Sequence, residues 1–564
     1  MSTWPAPSNM DPKTEMFPTL TEAQIRRVRH VGTSRQVTAG EILFEPYDTD
    51  VPFFVLLSGA LEIVQPDLNG ERTIVDHLSG SFTGEMSLIS GGRSLVRGRV
   101  TESGEFLQVS PEGLRSLVAK DAELSDIFMR AFILRRVMLI RKGFGSVVLI
   151  GSKHSANTLR LREFLSRNAY PFTYVDLETD KDTQALLDRF HVKVSDIPVV
   201  ACTARGAVMR NPTTQQLADC LGFGSNVDSK QVRDVIIVGA GPSGLAAAVY
   251  AASEGLDALV IETDSPGGQA GSSSKIENYL GFPTGVSGME LTNRALAQAQ
   301  KFGAKMMVGH SVARLDCSTR PYGIVLDNGT RLSARTIVIS TGAQYNKPKI
   351  ANLTEFEGRG VYYGATYIES QLCVNEPVAV VGGANSAGQA AVYLSQTASK
   401  VHMLVRRDGL ADTMSRYLIQ RISENPAIEL HRNTEIVGME GKDQLERVSW
   451  IDKKKGETST HEICHAFIMT GALPRTEWLE GCVALDGKGF IITGRDLEPN
   501  SGVRLDDNPA HAWTLNRGPL MLETSLPGVF AVGDVRSGNV KRVASAVGEG
   551  AIAINLVHRA LTDI

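Results

Sequence analysis

The stretch from Asp234 to Ala248, Asp-Val-Ile-Ile-Val-Gly-Ala-Gly-Pro-Ser-Gly-Leu-Ala-Ala-Ala, leaves the chain few ways to fold. The apolar run Val235 to Val238 reads as a buried strand. It breaks at Gly239-Ala240-Gly241-Pro242-Ser243-Gly244, and an alanine-rich helix follows. In a strand–turn–helix setting, Gly239 permits the tight turn, Gly241 lets the backbone approach a pyrophosphate, and Gly244 lets helix and strand pack closely. Pro242 and Ser243 lie in the same turn and count with the glycines as binding residues. The pyrophosphate would sit at the positive end of the helix. A second apolar run, Ala258 to Ile261, ends at Glu262, 23 residues after Gly239. A carboxylate there can accept hydrogen bonds from ribose hydroxyls.

The pattern returns 143 residues later. The strand Pro377 to Val381 runs into Gly382-Gly383-Ala384-Asn385-Ser386-Ala387, with alanine at the third position where glycine is usual. Its companion strand, Val401 to Val405, has Val405 in place of the ribose acid, and Arg406 and Arg407 follow. Valine with two arginines beside it suits a 2′-phosphate and so NADPH rather than NADH. The plain alternative is two arginines capping a strand end in water. One acid-terminated and one arginine-terminated fold together imply two cofactors, FAD and NADPH.

The 564 residues suggest about three or four domains. A 42% hydrophobic, 21% charged composition with net charge −4 is that of a globular chain without the basic excess a nucleic acid would need. No run of about 18 uncharged apolar residues is present, so no transmembrane helix is expected. Met1 to Pro18 is polar and lacks the pattern of a secretory signal. The six cysteines, Cys202, Cys220, Cys317, Cys373, Cys464 and Cys482, form no C-x-x-C. They read as buried or free thiols in a reducing, cytoplasmic setting, and no metal site is expected.

Ahead of the first fingerprint lie two further units. Short alternating runs (41–45, 53–57, 60–64, 73–77) separated by Gly, Pro and Asp predict a small β-barrel or jelly roll, followed by a helical segment from Pro111 to about Arg141. Leu57-Ser-Gly-Ala-Leu-Glu-Ile63 and Phe82-Thr-Gly-Glu-Met-Ser-Leu-Ile89, followed by Gly92-Arg93-Ser94, resemble a cyclic-nucleotide-binding domain, placed at 1–142. The resemblance implies that Gly84, Glu85, Arg93 and Ser94 line the pocket, with Glu85 on the ribose and Arg93 on the cyclic phosphate. The stretch between acid and arginine is short for that family, Gly92 stands where proline is usual, and Leu95 replaces a small residue. A working pocket and a differently tuned domain both stay open. Residues 146–222 alternate strand and helix in an order that resembles a thioredoxin- or glutaredoxin-like domain, with Pro198 at that fold's cis-proline position. Its first loop, Ser152-Lys-His-Ser-Ala-Asn-Thr158, has no cysteine, so no dithiol exchange is expected there, and His154 reads as a solvated loop residue.

From 232 to 564 the chain resembles thioredoxin reductases, on Pro266-Gly-Gly-Gln269, Ile276 to Pro283, Thr336 to Ala343 and Gly528-Val-Phe-Ala-Val-Gly-Asp534 as well as both fingerprints. The resemblance implies a discontinuous FAD domain (232–348 and 476–564) flanking an NADPH domain (349–475). It places Gly268, Gln269, Asn278, Thr341, Gly342, Gly533, Asp534, Lys541, Arg542 and Val543 at the flavin, and implies a homodimer. The stretch from Gly494 to Arg517 reads as an inserted surface excursion. Where the family carries Cys-Ala-Thr-Cys, this sequence reads Gly364-Ala365-Thr366-Tyr367. A dithiol relay needs two sulfurs that can bond, and neither is here. The expected activity is an NADPH-dependent FAD oxidoreductase serving a non-disulfide small-molecule or protein acceptor, with a cyclic nucleotide or related effector at the N-terminal domain. Tyr367, as an aromatic cover, and Cys373, as a lone thiol, are weak catalytic candidates. Two other readings are a flavin-based sensor with conformational output and a thiol reductase using Cys373.

Overall fold

The computed structural model describes residues 16–46, 48, 51–67, 70–84, 94, 96–141, 147–152, 155–168, 170–177, 196–202, 207–223, 227–411, 413–442, 444–479, 481–498 and 513–563. They form two compact units. One comprises residues up to Ser152 with Asn168–Val227 and Ala297–Gly309; the other comprises Lys153–Arg167, Asp228–Leu296 and His310–Ile564.

In the first unit two four-stranded antiparallel sheets make the expected β-rich N-terminal domain. One orders Gly32–Val37, Gly104–Val109, Phe53–Leu56 and Phe82–Thr83; the other orders Ile42–Phe44, Arg97–Glu102, Ala60–Asp67 and Gly70–His77. Phe53 and Phe82 meet Phe128 and Phe132 from the following helix, with Phe82 and Phe128 centroids 4.8 Å apart. The expected single helical segment is two helices, Pro111–Lys120 and Ala122–Arg141. Asp121 between them is extended, and its Oδ1 accepts the Leu124 N–H at 3.1 Å while Arg27 holds the same carboxylate. A short acid that caps the next helix interrupts the one before it.

The strands Val147–Gly151, Thr173–Asp176, Val199–Cys202 and Ala207–Arg210 form a mixed sheet in which the first two are parallel. The Ile197–Pro198 bond is cis. The expected second helix of this segment and His154 lie outside the described residues. Cys202 and Cys220 bring their sulfurs to 3.2 Å, a proximity of two thiols that the spacing did not reveal.

In the second unit α1 (Ala156–Arg167) accompanies the dinucleotide folds. Strand β1 (Val232–Val238) leads through the glycine turn into α2 (Pro242–Ser253) and on to β2 (Ala258–Glu262). It is parallel to both β2 and β3 (Arg331–Ile339). The second fingerprint is β4 (Pro377–Val381), α3 (Asn385–Leu394) and β5 (Lys400–Val405), extended by β6 (Ile428–Arg432). An antiparallel meander of β7 (Thr434–Gly441), β8 (Leu445–Asp452) and β9 (Glu457–Glu462) follows, and β10 (His465–Ile468) returns beside β4. The chain then rejoins the first sheet: β11 (Val529–Ala531) is parallel to β3, and α4 (Val543–Asp563) packs on α2. Gly550 permits that packing, because a Cβ there would collide with the Ser243 carbonyl oxygen.

One expectation about the cysteines is corrected. Cys317 and Cys482 are joined as a disulfide, with Cα atoms 6.0 Å apart across a sequence separation of 165. Cys317 follows the strand Val312–Asp316, and Cys482 follows the short turn Glu477–Leu479. Only the return of the C-terminal segment to the first sheet brings them together.

Candidate functional site

At the first fingerprint the glycines are held where side chains cannot go. Gly239 has φ of +100°, and a Cβ on it would stand 2.5 Å from the Ser340 carbonyl oxygen. On Gly244 a Cβ would strike the Gly239 carbonyl oxygen. Gly241 caps α2, Pro242 starts it and Ser243 is buried in its first turn. Facing this turn, Gly268 has φ of +53°, and a Cβ there would lie 3.1 Å from Gly241 Cα. Bare backbone therefore lines both sides of a cradle at the positive end of α2, the arrangement a pyrophosphate needs.

The other FAD candidates are distributed around that turn. Glu262 accepts hydrogen bonds from the N–H groups of Ala240 (2.7 Å) and Asp264 (3.0 Å). Burial pushes its carboxyl above the usual range, against the pull of those two donors. Gln269 donates to the Ala343 carbonyl at 2.6 Å, and the Thr341 hydroxyl donates to that of Arg475 at 3.0 Å. Gly342 and Gly533 are left-handed, at φ +66° and +73°. The Gly533 N–H donates to Glu549 at 2.7 Å, and a Cβ at Gly533 would crowd Ser243 Oγ at 2.6 Å. Asp534 is raised by burial, and Lys541 Nζ donates to its backbone carbonyl at 3.0 Å. Asn278 and Arg542 are exposed, and Val543 begins α4.

Two polar residues near this cradle escaped the sequence reading. Arg167, at the end of α1, donates from Nη2 to the Gly268 carbonyl at 2.7 Å, while its buried Nε has no hydrogen-bond partner. Asn539, between Asp534 and Lys541, has both amide atoms buried without partners. The glycine cradle and an orphaned guanidinium donor beside Gly268 fit a pyrophosphate-bearing flavin nucleotide. Neither residue carries a local signal: α1 precedes the fingerprint by some 70 residues of unrelated pattern, and Asn539 is an ordinary loop asparagine.

The second fingerprint repeats the geometry. Gly382 has φ of +143°, and a Cβ on it would stand 2.5 Å from the Met469 carbonyl oxygen. Gly383 would meet Val405 at 3.0 Å. Ala384 caps α3 in an extended conformation, so its methyl is tolerated where glycine is usual. Asn385 Oδ1 accepts the Ser415 N–H at 2.7 Å, Ser386 lies near Tyr345, and Ala387 is buried. Arg406 and Arg407 are both exposed at the end of β5.

Between the two folds lies the segment Gly364-Ala365-Thr366-Tyr367. Gly364 lies beside Ser272, just past the turn that carries Gly268. Thr366 precedes the short helix Tyr367–Leu372, and its N–H donates to Glu369 Oε2 at 2.8 Å. The Glu369 carboxyl is raised chiefly by burial and further by Glu163 of α1. The side chain of Tyr367 lies outside the described residues. Cys373 is fully buried beyond the helix end, and its thiol donates to the Glu369 carbonyl at 3.4 Å. Burial pushes that thiol up to about 12, which suppresses the reactive thiolate at neutral pH. Helix α1 borders this segment. Ala156 abuts Gly358, Leu159 packs on the cluster containing Ala365 and Cys373, and Arg167 reaches Gly268.

In the N-terminal domain Gly84 has φ of +99°, and a Cβ would strike the Pro52 carbonyl oxygen. Ser94 is buried and donates to the Val96 carbonyl at 2.8 Å. Glu85 and Arg93 lie outside the described residues.

Comparison with known proteins finds two families along the chain. A family model described as pyridine nucleotide-disulphide oxidoreductase matches residues 233–504, and one for the cyclic nucleotide-binding domain matches 34–121. Thioredoxin reductase of Mycoplasmopsis pulmonis is 31% identical over 329 residues, covering 58% of this chain and 97% of the relative. That of Bacillus subtilis is 30% identical over 339 residues, covering 60% and 98%. Among solved structures, Lactococcus lactis thioredoxin reductase gives a TM-score of 0.52 at 28% identity, covering 59% of this chain and all of that one. The T. acidophilum enzyme gives 0.51 at 27%, covering 58% and 99%.

Proposed function

This chain belongs to the thioredoxin-reductase family of FAD-dependent NAD(P)H oxidoreductases, and from that premise we propose that it oxidises NADPH and delivers the electrons to an acceptor other than a disulfide of its own in the family position. The observation that carries the proposal is Gly364-Ala365-Thr366-Tyr367 where the family places its cysteine pair, with Cys373, the nearest thiol in sequence, buried and held protonated.

Bound FAD supplies two-electron acceptance from the nicotinamide and onward transfer. The residues of the chain do the rest. Gly239, Gly241, Gly244 and Gly268 hold the pyrophosphate against bare backbone, with Glu262 on the ribose. Asp534 and Gly533 close the other side. At the second fold Gly382 to Ala387 receive the NADPH pyrophosphate, and Arg406 and Arg407 receive the 2′-phosphate, where a guanidinium binds two oxygens at once. Glu369, raised by burial, is positioned to keep a proton beside the cysteine-less motif. The pairing of β11 with β3 supports a discontinuous FAD domain at 232–348 and 476–564 around an NADPH domain at 349–475. The N-terminal domain, over 34–121, is proposed to bind a cyclic nucleotide or related effector that tunes this activity.

Arg406→Ala/Arg407→Ala tests the nucleotide assignment. The pair of substitutions is expected to raise KM for NADPH by roughly tenfold or more, the loss of about 1.4 kcal/mol or more of charged contact, and to leave KM for NADH within about twofold. Equal losses with both nucleotides would remove the arginines from 2′-phosphate recognition.

A further inference from the structure

The sequence reading expects no metal site. The fold nevertheless gathers three ligand-type residues on one face of the second dinucleotide sheet. In the parallel pairing of β5 with β6, His402 lies opposite Glu429, and Leu404 opposite His431. Side chains two apart on a strand share a face, so Glu429 and His431 stand on the side of His402. Val401, Met403 and Val405 pack instead with residues of α3, while Leu404 packs with Trp450 and Met439 of the meander. The histidines thus face the meander, on the side of the sheet away from the nucleotide-binding helix.

There, His402 Nδ1 and His431 Nε2 point at each other at 3.1 Å. Glu429 brings one carboxylate oxygen to 3.5 Å from His431 Nε2 and the other to 4.0 Å from His402 Nδ1. One ligand atom from each of the three lies within 4.8 Å of the others. Two imidazole nitrogens in this attitude either share a proton or present both lone pairs to a cation. With metal–nitrogen bonds of about 2.0–2.1 Å, two ligands of one ion stand roughly 2.9–3.4 Å apart at tetrahedral or octahedral angles. The observed separation falls in that range. Trp450 backs both rings, with centroids 5.6 Å from His402 and 5.3 Å from His431, and limits their rotation. Glu429 is half exposed, so a small rotation brings its oxygens closer. Lys400 Nζ, 3.3 Å from Glu429 Oε2, is the competing partner that a cation would have to displace. His461 is stacked on Trp450 at 3.7 Å, and its Nε2 lies 2.8 Å from Ser459 Oγ, so it stands outside the ligand set.

We propose that His402, His431 and Glu429 bind one divalent first-row transition cation on the meander-facing side of the second dinucleotide fold. Two imidazoles and a carboxylate suit zinc and its neighbours rather than magnesium or calcium. Water fills the remaining positions.

The test uses the full chain with FAD bound, free of any affinity tag and stripped with chelator. It is equilibrated with Zn2+ by dialysis, and the bound metal is measured by mass spectrometry. The expected result is about one zinc per chain. His402→Asn/His431→Asn should weaken binding by more than roughly tenfold, the loss that supporting partners of a ligand already produce. His461→Asn should retain it. Folding of each variant is judged from its circular dichroism and retained flavin. Zinc-edge X-ray absorption on the unaltered protein gives a second reading, with imidazole nitrogens expected in the shell. A protein that takes up no zinc, a double variant that binds as tightly as the parent, or a shell without imidazole would each overturn the proposal.

Discussion

A buried polar atom left without a partner costs about 1–3 kcal/mol, and Arg167 Nε is such an atom beside the glycine cradle. A bound pyrophosphate would meet it. Arg167→Ala is therefore expected to raise the dissociation constant for FAD roughly ten- to a hundredfold, the range of about 1.5–3 kcal/mol for a hydrogen bond to a charged group. Equilibrium dialysis of the deflavinated protein reads this without reference to turnover, and an unchanged affinity would take Arg167 out of the site. Cys373 carries the opposite expectation. Its thiol is buried and held protonated, so Cys373→Ser should leave NADPH oxidation with any effective acceptor within about twofold. A collapse of turnover in a folded, flavin-loaded variant would restore a thiol step. These two residues also mark what could be read from the chain. Gly239, Gly241 and Gly244 were legible because a tight turn forces glycine at fixed offsets. Arg167 was not, because a functional arginine on an ordinary helix has no local pattern.

At the scale of elements, the strands and helices that bury one face were legible from periodicity, and both dinucleotide folds stand where their patterns put them. The break at Asp121 was missed because the apolar spacing runs on through it, while the cap that ends the helix depends on a single short acid. The Cys317–Cys482 disulfide and the His402–Glu429–His431 cluster depend on strand order, which spacing along the chain does not encode. The C-terminal element shows a further tertiary dependence. Glu523 is fully buried and accepts hydrogen bonds from Arg517 Nη1 (2.7 Å) and the N–H groups of Leu520 (2.9 Å) and Gly528 (2.8 Å). Arg517 also reaches Asp563 at the end of α4, at 2.6 Å. Arg517 thus ties the last helix to the turn that feeds β11. The surface excursion expected before it has residues 499–512 outside the described set. Arg517→Ala would strand a buried carboxylate and is expected to destabilise the protein by about 3–5 kcal/mol. A loss below about 1 kcal/mol in denaturant unfolding would show that solvent reaches Glu523 instead.

At the scale of the whole molecule, a thioredoxin-reductase-like FAD oxidoreductase is joined to a cyclic-nucleotide-binding domain in a sequence that contains no C-x-x-C. The two-dinucleotide fold and the β-rich N-terminal domain were legible, since each carries its own local signature. The acceptor was not, because what remains at Gly364 to Tyr367 defines a missing step and no replacement. Electron counting distinguishes a flavin acting alone from one that passes electrons through a disulfide. Anaerobic titration of the FAD-loaded protein with NADPH should bleach the flavin completely with one NADPH per FAD, since the flavin is the single two-electron centre proposed to lie in the electron path. The same end point should be reached in a Cys317→Ser/Cys482→Ser variant. A requirement for two NADPH per FAD would contradict the account. It would mean that a disulfide, whether Cys317–Cys482 or one formed by the neighbouring Cys202 and Cys220, stands in the electron path after all.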